Sequence, residues 1–279
     1  MKKTNYKPSY IMLTVMLTLL ITTSSTSSVH GFNVIDKCWR TDPNWRSHRQ
    51  QLAKCSVGYS GKMTNNIGDD VIKYKVTDTS DDPLNPKPGT LRYAMTHIQG
   101  KIWVTFERNM TIRLQKPLLV SSFTTIDGRG VEVHIADGAC LMLQRVTNVI
   151  IHGINCNQRM PRIRHGYAHV VNNVYKGWGN YAIGGSMNPS IKSQANYFFA
   201  RGGRNEVTWK QESGEVEGNF QSVKDVFANG ACFNGSGSGR EAVRPNYTPD
   251  QAFPVEDGHK VKELTKNAGI LKCPSSSTC

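Results

Sequence analysis

The chain has 279 residues and a formal net charge of +13. After its first 31 residues no segment is apolar enough to span a membrane, which excludes a protein built of several membrane helices. The basic charge favours an anionic partner, which leaves nucleic acid, an anionic membrane surface and an acidic polysaccharide as candidates.

Residues 1–31 have the order of a secretory signal. Lys2, Lys3 and Lys7 form a basic start, an apolar run of 12 residues follows from Tyr10 to Ile21, and small polar residues come next. The run is too short for a bilayer about 30 Å thick, so a cleaved signal is favoured over the alternative, an uncleaved anchor. We therefore expect a secreted monomer in the extracellular space or cell wall. It would have no membrane or nucleic-acid partner and would bind an acidic polysaccharide.

The mature part, about 250 residues, is long enough for one large domain. All seven cysteines follow the signal, so they are expected to meet an oxidising compartment. Local spacing suggests the pairs Cys38–Cys55 and Cys273–Cys279, although sequence alone does not fix connectivity. An odd count leaves at least one thiol without an intrachain partner. Three glycosylation sequons begin at Asn109, Asn234 and Asn246.

Short β-rich runs broken by Gly, Asn and Asp fill residues 101–200 and indicate an all-β protein. Ile126-Asp127-Gly128 repeats as Ile151-His152-Gly153 after 25 residues, and Asn173 and Asn196 are 23 apart. Repeats of this length built from short strands favour a parallel β-helix over a sandwich. We expect a cap or extension over 32–100, the β-helix core over 101–200, and a C-terminal arm with loops over 201–279.

The interval between Asn155 and Asn173 is only 18 residues and contains the sequence RMPRIRH, residues 159–165. The Met-Pro pair should end or kink a strand, because proline lacks an N–H and restricts the residue before it. The pattern predicts an arginine-lined patch at a strand end that binds carboxylates in bidentate fashion. The alternative is a solvated basic turn.

At this point the chain resembles a known family. RMPRIRHGYAHVVNN (159–173) and GWGNYAIGGSMNPSIKSQAN (177–196) are similar to the arginine region of plant pectate lyases, especially the pollen-allergen branch. WVTF, TIDGRG, VEVHIADGAC, TNVIIHG, KDVFANGACF and TKNAGILKC match the same family in the same order. The resemblance implies a right-handed parallel β-helix and calcium-dependent cleavage of de-esterified pectin by β-elimination.

By this resemblance Arg159 is the catalytic base and Arg164 holds a substrate carboxylate. Arginine is normally protonated, with a pKa above about 12, so neighbouring cations must favour the neutral form of Arg159. Arg162 and His165 are candidate substrate-binding helpers, each with a structural role as the alternative.

The calcium ligands of the family are not recognisable. No Asp or Glu occurs from Gly138 to Asn205, whereas calcium requires several oxygen ligands. The family carries its calcium aspartates between the segment like IIHGIN and the arginine motif, which are nearly adjacent here. We therefore expect Ca²⁺ for the family but assign no metal ligand in this chain. Asp127 and Asp137 are interpreted as turn residues.

These features together predict an internal deletion of about four coils, at about 25 residues each, with its junction near 156–158. The family begins a central disulfide at the position of Cys156, and its partner is expected in the missing part. The alternative function is a catalytically inactive β-helix that only binds pectin or serves as an allergen-like pollen protein.

Several other residues are expected to have structural roles. Trp178 and Tyr181 are interpreted as packing residues rather than sugar-stacking platforms. His152 and His169 follow the alternation of their strands and are assigned to the core or to ladders. Asn155, Asn173 and Asn196 are candidates for one asparagine ladder between coils.

Overall fold

The structure is a computed structural model that describes residues 32–136, 138–156, 160–211, 218–235 and 247–266. Four short helices occur in these ranges: α1 (Val34–Arg40), α2 (Gln51–Lys54), α3 (Leu91–His97) and α4 (Val261–Leu264). The strands are β1 (Ile72–Val76), β2 (Ile102–Phe106), β3 (Met110–Ile112), β4 (Leu118–Leu119), β5 (Thr124–Asp127), β6 (Val133–Ile135), β7 (Leu141–Met142), β8 (Val149–His152), β9 (Ile154–Cys156), β10 (Arg162–Val171), β11 (Val174–Lys176), β12 (Ile183–Gln194), β13 (Tyr197–Phe199), β14 (Thr208–Gln211), β15 (Asn219–Val223) and β16 (Val226–Ala228). Each described helix falls short of the length and apolarity that crossing a membrane requires.

The strands pair in parallel, one coil after another, as the sequence repeat predicts. Ile126 of β5 is in register with Ile151 of β8, and Asp127 with His152. Ile126 points into the core with no exposed surface. Each coil contributes short strands rich in β-branched residues, which suit the stacked, half-buried surface of a solenoid. The predicted fold class, an all-β right-handed parallel β-helix, is therefore confirmed.

The coils form two stacks. In the first stack the strand orders are β1-β2-β5-β8, β3-β6-β9 and β4-β7. In the second stack β12 pairs with β10, β14 and β15, and the other sheet has the order β11-β13-β16. Within the described ranges no sheet continues from the first stack into the second. Strands β9 and β11 thus end their sheets, and each has a partner on one side only.

Each stack has its own apolar interior. The core of the first stack includes Val104, Ile112, Leu118, Ile126 and Val133. The core of the second stack includes Ile183, Ile191, Phe198, Val207 and Phe220. Tyr175, Phe198 and Phe227 from successive coils stack face to face, with centroids 4.8 and 5.5 Å apart. Burying this apolar surface is the main stabilising contribution to each stack.

The N-terminal cap covers the outer face of the first stack. Trp39, Trp45 and Leu52 of the cap form one buried cluster with Trp103 and Ile150 of the strands. The predicted Cys38–Cys55 disulfide is present and links α1 to the residue after α2. The predicted pair Cys273–Cys279 lies outside the described residues, as does the signal segment 1–31.

The solenoid is broader than the predicted interval 101–200. Strand β1 pairs with β2 over Ile72–Val76, so the first coil begins inside the region expected to be cap. Strands β14, β15 and β16 extend the second stack to Ala228, inside the region expected to be arm. Sequence analysis did not predict these strands, because the residues around them are polar and rich in glycine. Their structure is determined by pairing in register with a neighbouring strand rather than by intrinsic propensity.

Candidate active site

The arginine motif lies at the start of β10. Pro161 comes immediately before the strand, and its carbonyl accepts a hydrogen bond of 3.0 Å from the Gly184 amide. The strand ladder begins at Arg162, which is in register with Gly184. A proline that cannot donate therefore stands just outside the ladder, where the sequence placed the strand boundary.

Arg162 is held by an aromatic side chain. Its guanidinium carbon lies 5.1 Å from the ring centroid of Trp209, and its Nη2 is 3.4 Å from Oγ of Ser186. Trp209 in turn stacks on Tyr181, with centroids 5.1 Å apart and planes 6° apart. A cation over a tryptophan face is attracted by the ring quadrupole, so the half-buried arginine has a defined orientation.

Arg164 and His165 are both exposed to solvent. Simple alternation would place neighbouring residues on opposite sides of the strand. The register of β10 against β12 shifts between Ile163 and His165, and Ile163 packs on the core of the second stack. The irregularity re-aims the next side chains, as bulges do. We call Arg162, Arg164, His165, Trp209 and Lys210 the arginine edge.

The predicted base, Arg159, lies outside the described residues, as does Asp137. The structure therefore brings together Arg162, Arg164 and His165 of the predicted site on one strand end. Sequence analysis did not single out Trp209, which contacts Arg162 from a strand two positions away in the sheet. Its only sequence signal was an aromatic residue inside the β-rich run VTWKQ (207–211).

The described residues do not fit a calcium site. Among them, no group of three or more His, Cys, Asp or Glu side chains is placed to hold a metal ion. Asp225, a carboxylate of the second stack, accepts hydrogen bonds from the Asn196 amide at 2.7 Å and from Ser222 Oγ at 2.7 Å.

Asp127, in the first stack, is fully buried and is bound by Arg129 and Arg49. Burial alone raises its pKa, but the hydrogen bonds and charge of Arg129, with a contribution from Arg49, outweigh this and lower the pKa of Asp127 to about 2. It is a structural carboxylate that bridges the cap and the solenoid.

The predicted packing roles of the aromatic residues are confirmed. Trp178 and Tyr181 are 9% and 6% exposed, and Trp178 belongs to the core of the second stack. His152 bonds to Asp36 of α1 at 3.2 Å. His169 bonds to the Tyr247 hydroxyl at 2.6 Å and to Gln194 at 3.0 Å, and burial lowers its pKa.

The asparagine ladder exists but is shorter than predicted. The Asn196 side-chain oxygen accepts from both the amide and the Nδ2 of Asn173, and Asn196 itself donates to Asp225 on the next coil. Asn155 is not a member: it belongs to the first stack, and its nearest polar partner is His134 at 3.5 Å. The break between the stacks separates it from the others.

Three cysteines of the described ranges are free thiols. They are Cys140, Cys156 and Cys232. Cys156 interacts with Cys140 of the same stack, and this interaction together with burial raises the pKa of Cys156. The expectation that the family partner of Cys156 lies in a missing segment stays a prediction.

Comparisons with known proteins agree with this architecture. The sequence pattern of the pectate lyase family matches residues 144–237, which include the arginine edge. The crystal structure of Jun a 1, the major allergen from cedar pollen, is similar with a TM-score of 0.60 and 30% identity. That similarity covers 86% of this chain and 99% of the allergen.

Two plant proteins with similar sequences are also named as pectate lyases. The chain is 32% identical to pectate lyase 1 of Cryptomeria japonica over 95% of its own length and 99% of the relative. It is 35% identical to putative pectate lyase 14 of Arabidopsis thaliana, covering 91% of this chain and 81% of that protein. The fold and these relatives identify a β-helical protein of the polysaccharide lyase class. The chain belongs to the pectate lyase family.

The relatives also bear on the predicted shortening. The alignment with the Cryptomeria protein spans 374 positions but includes only 95% of the 279 residues of this chain, so about 109 positions have no counterpart here. Because nearly all of both chains is aligned, those additional residues lie inside the relative rather than at its ends. This agrees with the expected loss of several coils, at about 25 residues each.

Proposed function

We propose that this chain is a lyase that cleaves de-esterified (1→4)-α-D-galacturonan by β-elimination at the arginine edge. Family membership supports the reaction class. The observation that carries the assignment is the clustering of Arg162, Arg164 and His165 at one strand end, inside the region that matches the family. A polyanion would be drawn to this basic edge.

Arg164 is the proposed carboxylate-binding residue. It is exposed, and a guanidinium can bind a uronate carboxylate through two parallel hydrogen bonds. Arg162, oriented by Trp209, and His165 would contact neighbouring units. Positive charge beside the carboxylate withdraws electron density from carbon 5 of the sugar and acidifies its proton.

Arg159 is the proposed base. It takes the proton from carbon 5, the electron pair forms the double bond between carbons 4 and 5, and the bond from carbon 4 to the glycosidic oxygen breaks. The departing oxygen acquires a proton from solvent. The base must be neutral to accept the proton, and positive charge close to a guanidinium favours its neutral form.

Membership of the family implies a requirement for Ca²⁺, and calcium dependence is part of what must be tested. The described residues supply no cluster of carboxylates for the ion, so no step is assigned to it. We assign neutralisation of the substrate carboxylate to Arg162 and Arg164. We further propose secretion by way of residues 1–31 and action as a monomer on pectate of the cell wall.

The test is formation of the unsaturated product from polygalacturonate by the mature chain, followed by ultraviolet absorbance. We expect product with the wild type, and a loss of product with Arg159→Ala. The variant Arg108→Ala is a matched control, because Arg108 is an exposed arginine of the first stack whose ion pair is with the adjacent Glu107. Product formation by Arg159→Ala at the wild-type rate would overturn the role of the base.

A further inference from the structure

A cleft lies where the two stacks meet. Its volume is about 1110 Å³, and residues of β9 and β11 line it. Residues 177–179, Lys262 of α4 and the two residues at 265–266 also line it. We call it the junction cleft. Its volume is at the upper end of the range of small-molecule sites, about 300–1,000 Å³, and suits an oligomer of a few sugar units.

The cleft has a strongly basic rim. Lys176, Arg201, Lys262 and Lys266 line it, and no Asp or Glu does. Lys266 pairs with Glu263, and Lys262 lies over the Tyr197 ring at 4.2 Å. Lys176 and Arg201 make no ion pair with any carboxylate in the described part of the chain, and both are exposed. These two cations are available to an anionic ligand.

The walls also offer unused hydrogen-bonding groups. Strand β9 pairs only with β6, and β11 only with β13, so the edges that face the cleft have no strand partner in the described ranges. Trp178 lines the cleft and is nine-tenths buried, so its indole ring borders the space that a ligand would occupy.

We infer that the junction cleft binds a short uronic-acid oligosaccharide. Carboxylates would pair with Lys176 and Arg201, while sugar hydroxyls would bond to the open strand edges and a sugar ring would lie beside Trp178. The site is separate from the arginine edge, since the structure places none of Arg162, Arg164, His165 or Trp209 in its lining. The choice of a saccharide, rather than an acidic peptide, rests on the proposed function.

Binding is tested by calorimetric titration of trigalacturonate into the full mature chain carrying Arg159→Ala and Arg164→Gln, so that the ligand is neither consumed nor held by Arg164 at the arginine edge. We expect saturable binding that weakens with added salt, as ion pairs do. The double variant Lys176→Gln/Arg201→Gln should bind roughly tenfold more weakly. The double variant Lys73→Gln/Lys116→Gln removes the same charge from exposed positions of the first stack and should bind normally.

A second readout locates the ligand. Trigalacturonate should change the tryptophan fluorescence of the same chain carrying Trp209→Phe as well, so that the arginine edge gives no tryptophan signal, and this change should disappear when Trp178→Phe is added. Equal affinity of the two double variants, or a fluorescence change that survives Trp178→Phe, would overturn the inference. Tighter binding of poly-glutamate than of trigalacturonate would overturn the choice of ligand. If the chain shows no lyase activity, these binding results still test the junction cleft, because they are measured without turnover.

Discussion

The guanidinium of Arg162 lies 5.1 Å over the ring of Trp209. These residues are 47 positions apart in sequence, and they meet because β10 and β14 both pair with β12. The contact orients an arginine at the edge that is proposed to bind the substrate. Arg162 is half-buried and held over an aromatic ring, whereas Arg164 is exposed at the surface.

We predict that Trp209→Ala raises the KM for polygalacturonate by about two- to fivefold, the value of an exposed cation–π contact. The kcat should change little, because Trp209 orients a binding residue. Trp209→Phe keeps an aromatic ring beneath the guanidinium, so its KM should lie between those of the wild type and Trp209→Ala. Steady-state kinetics distinguishes these cases, and an unchanged KM for Trp209→Ala would show that the contact does not position Arg162.

We predict that Asp127→Asn destabilises the protein by about 3–5 kcal/mol, because it breaks a buried ion pair and leaves the charge of Arg129 uncompensated. The free energy of unfolding is measured by denaturant titration at neutral pH. Asp70→Asn is the control: Asp70 pairs with Lys101 at 3.0 Å on the surface, and its loss should cost less than about 1 kcal/mol. Similar costs for the two variants would contradict the structural role of Asp127.

The same carboxylate predicts a pH dependence. The folded pKa of Asp127 is about 2, below its ordinary value of 3.8. The ionised Asp127 therefore makes its full contribution to the free energy of unfolding above about pH 4. Roughly 2–3 kcal/mol of that contribution is lost as the pH falls through 2. The difference in unfolding free energy between the wild type and Asp127→Asn should narrow over that window. A constant difference from pH 5 to pH 2 would contradict the lowered pKa.

We predict that Cys140 and Cys156 form a disulfide when a disulfide oxidant such as oxidised glutathione is supplied. Two successive exchange reactions would form the S–S bond and release two glutathione thiols. The raised pKa of Cys156 makes the reaction faster at higher pH, since the thiolate is the attacking species. Non-reducing peptide mapping should find the 140–156 link and a free thiol at Cys232. A mixed population that includes Cys232 in disulfides with either residue would contradict the pairing.

The sequence predicts the coils well because the repeat is local. Ile126 and Ile151 occupy equivalent positions in consecutive coils, and equal spacing implies register. Cys38 and Cys55 are close in sequence and pair as expected. The arginine edge is less predictable. Its geometry depends on the register shift after Ile163 and on Trp209, which belongs to a later coil.

Three further features of the structure were not predicted from the sequence. Helix α3 is only seven residues long and is stabilised at its start by Thr90, whose side chain accepts from the Tyr93 amide, so it shows too little periodicity to be recognised. The contact between Cys140 and Cys156 connects different faces of neighbouring coils, which spacing alone does not reveal. The aromatic cluster of Tyr59, Tyr167 and Tyr247 likewise joins the cap and the arm across strand β10.

The central claim is that the arginine edge, with Arg159 as the base, performs the elimination. The most direct measurement is the initial rate of unsaturated product from polygalacturonate with added calcium, and with a chelator as the calcium control. The same assays are run in parallel on wild type, Arg159→Ala and Arg108→Ala. With calcium we predict equal rates for wild type and Arg108→Ala and no product from Arg159→Ala, and we predict that the chelator abolishes product formation. A wild-type rate that does not exceed that of Arg159→Ala with calcium would contradict the claim.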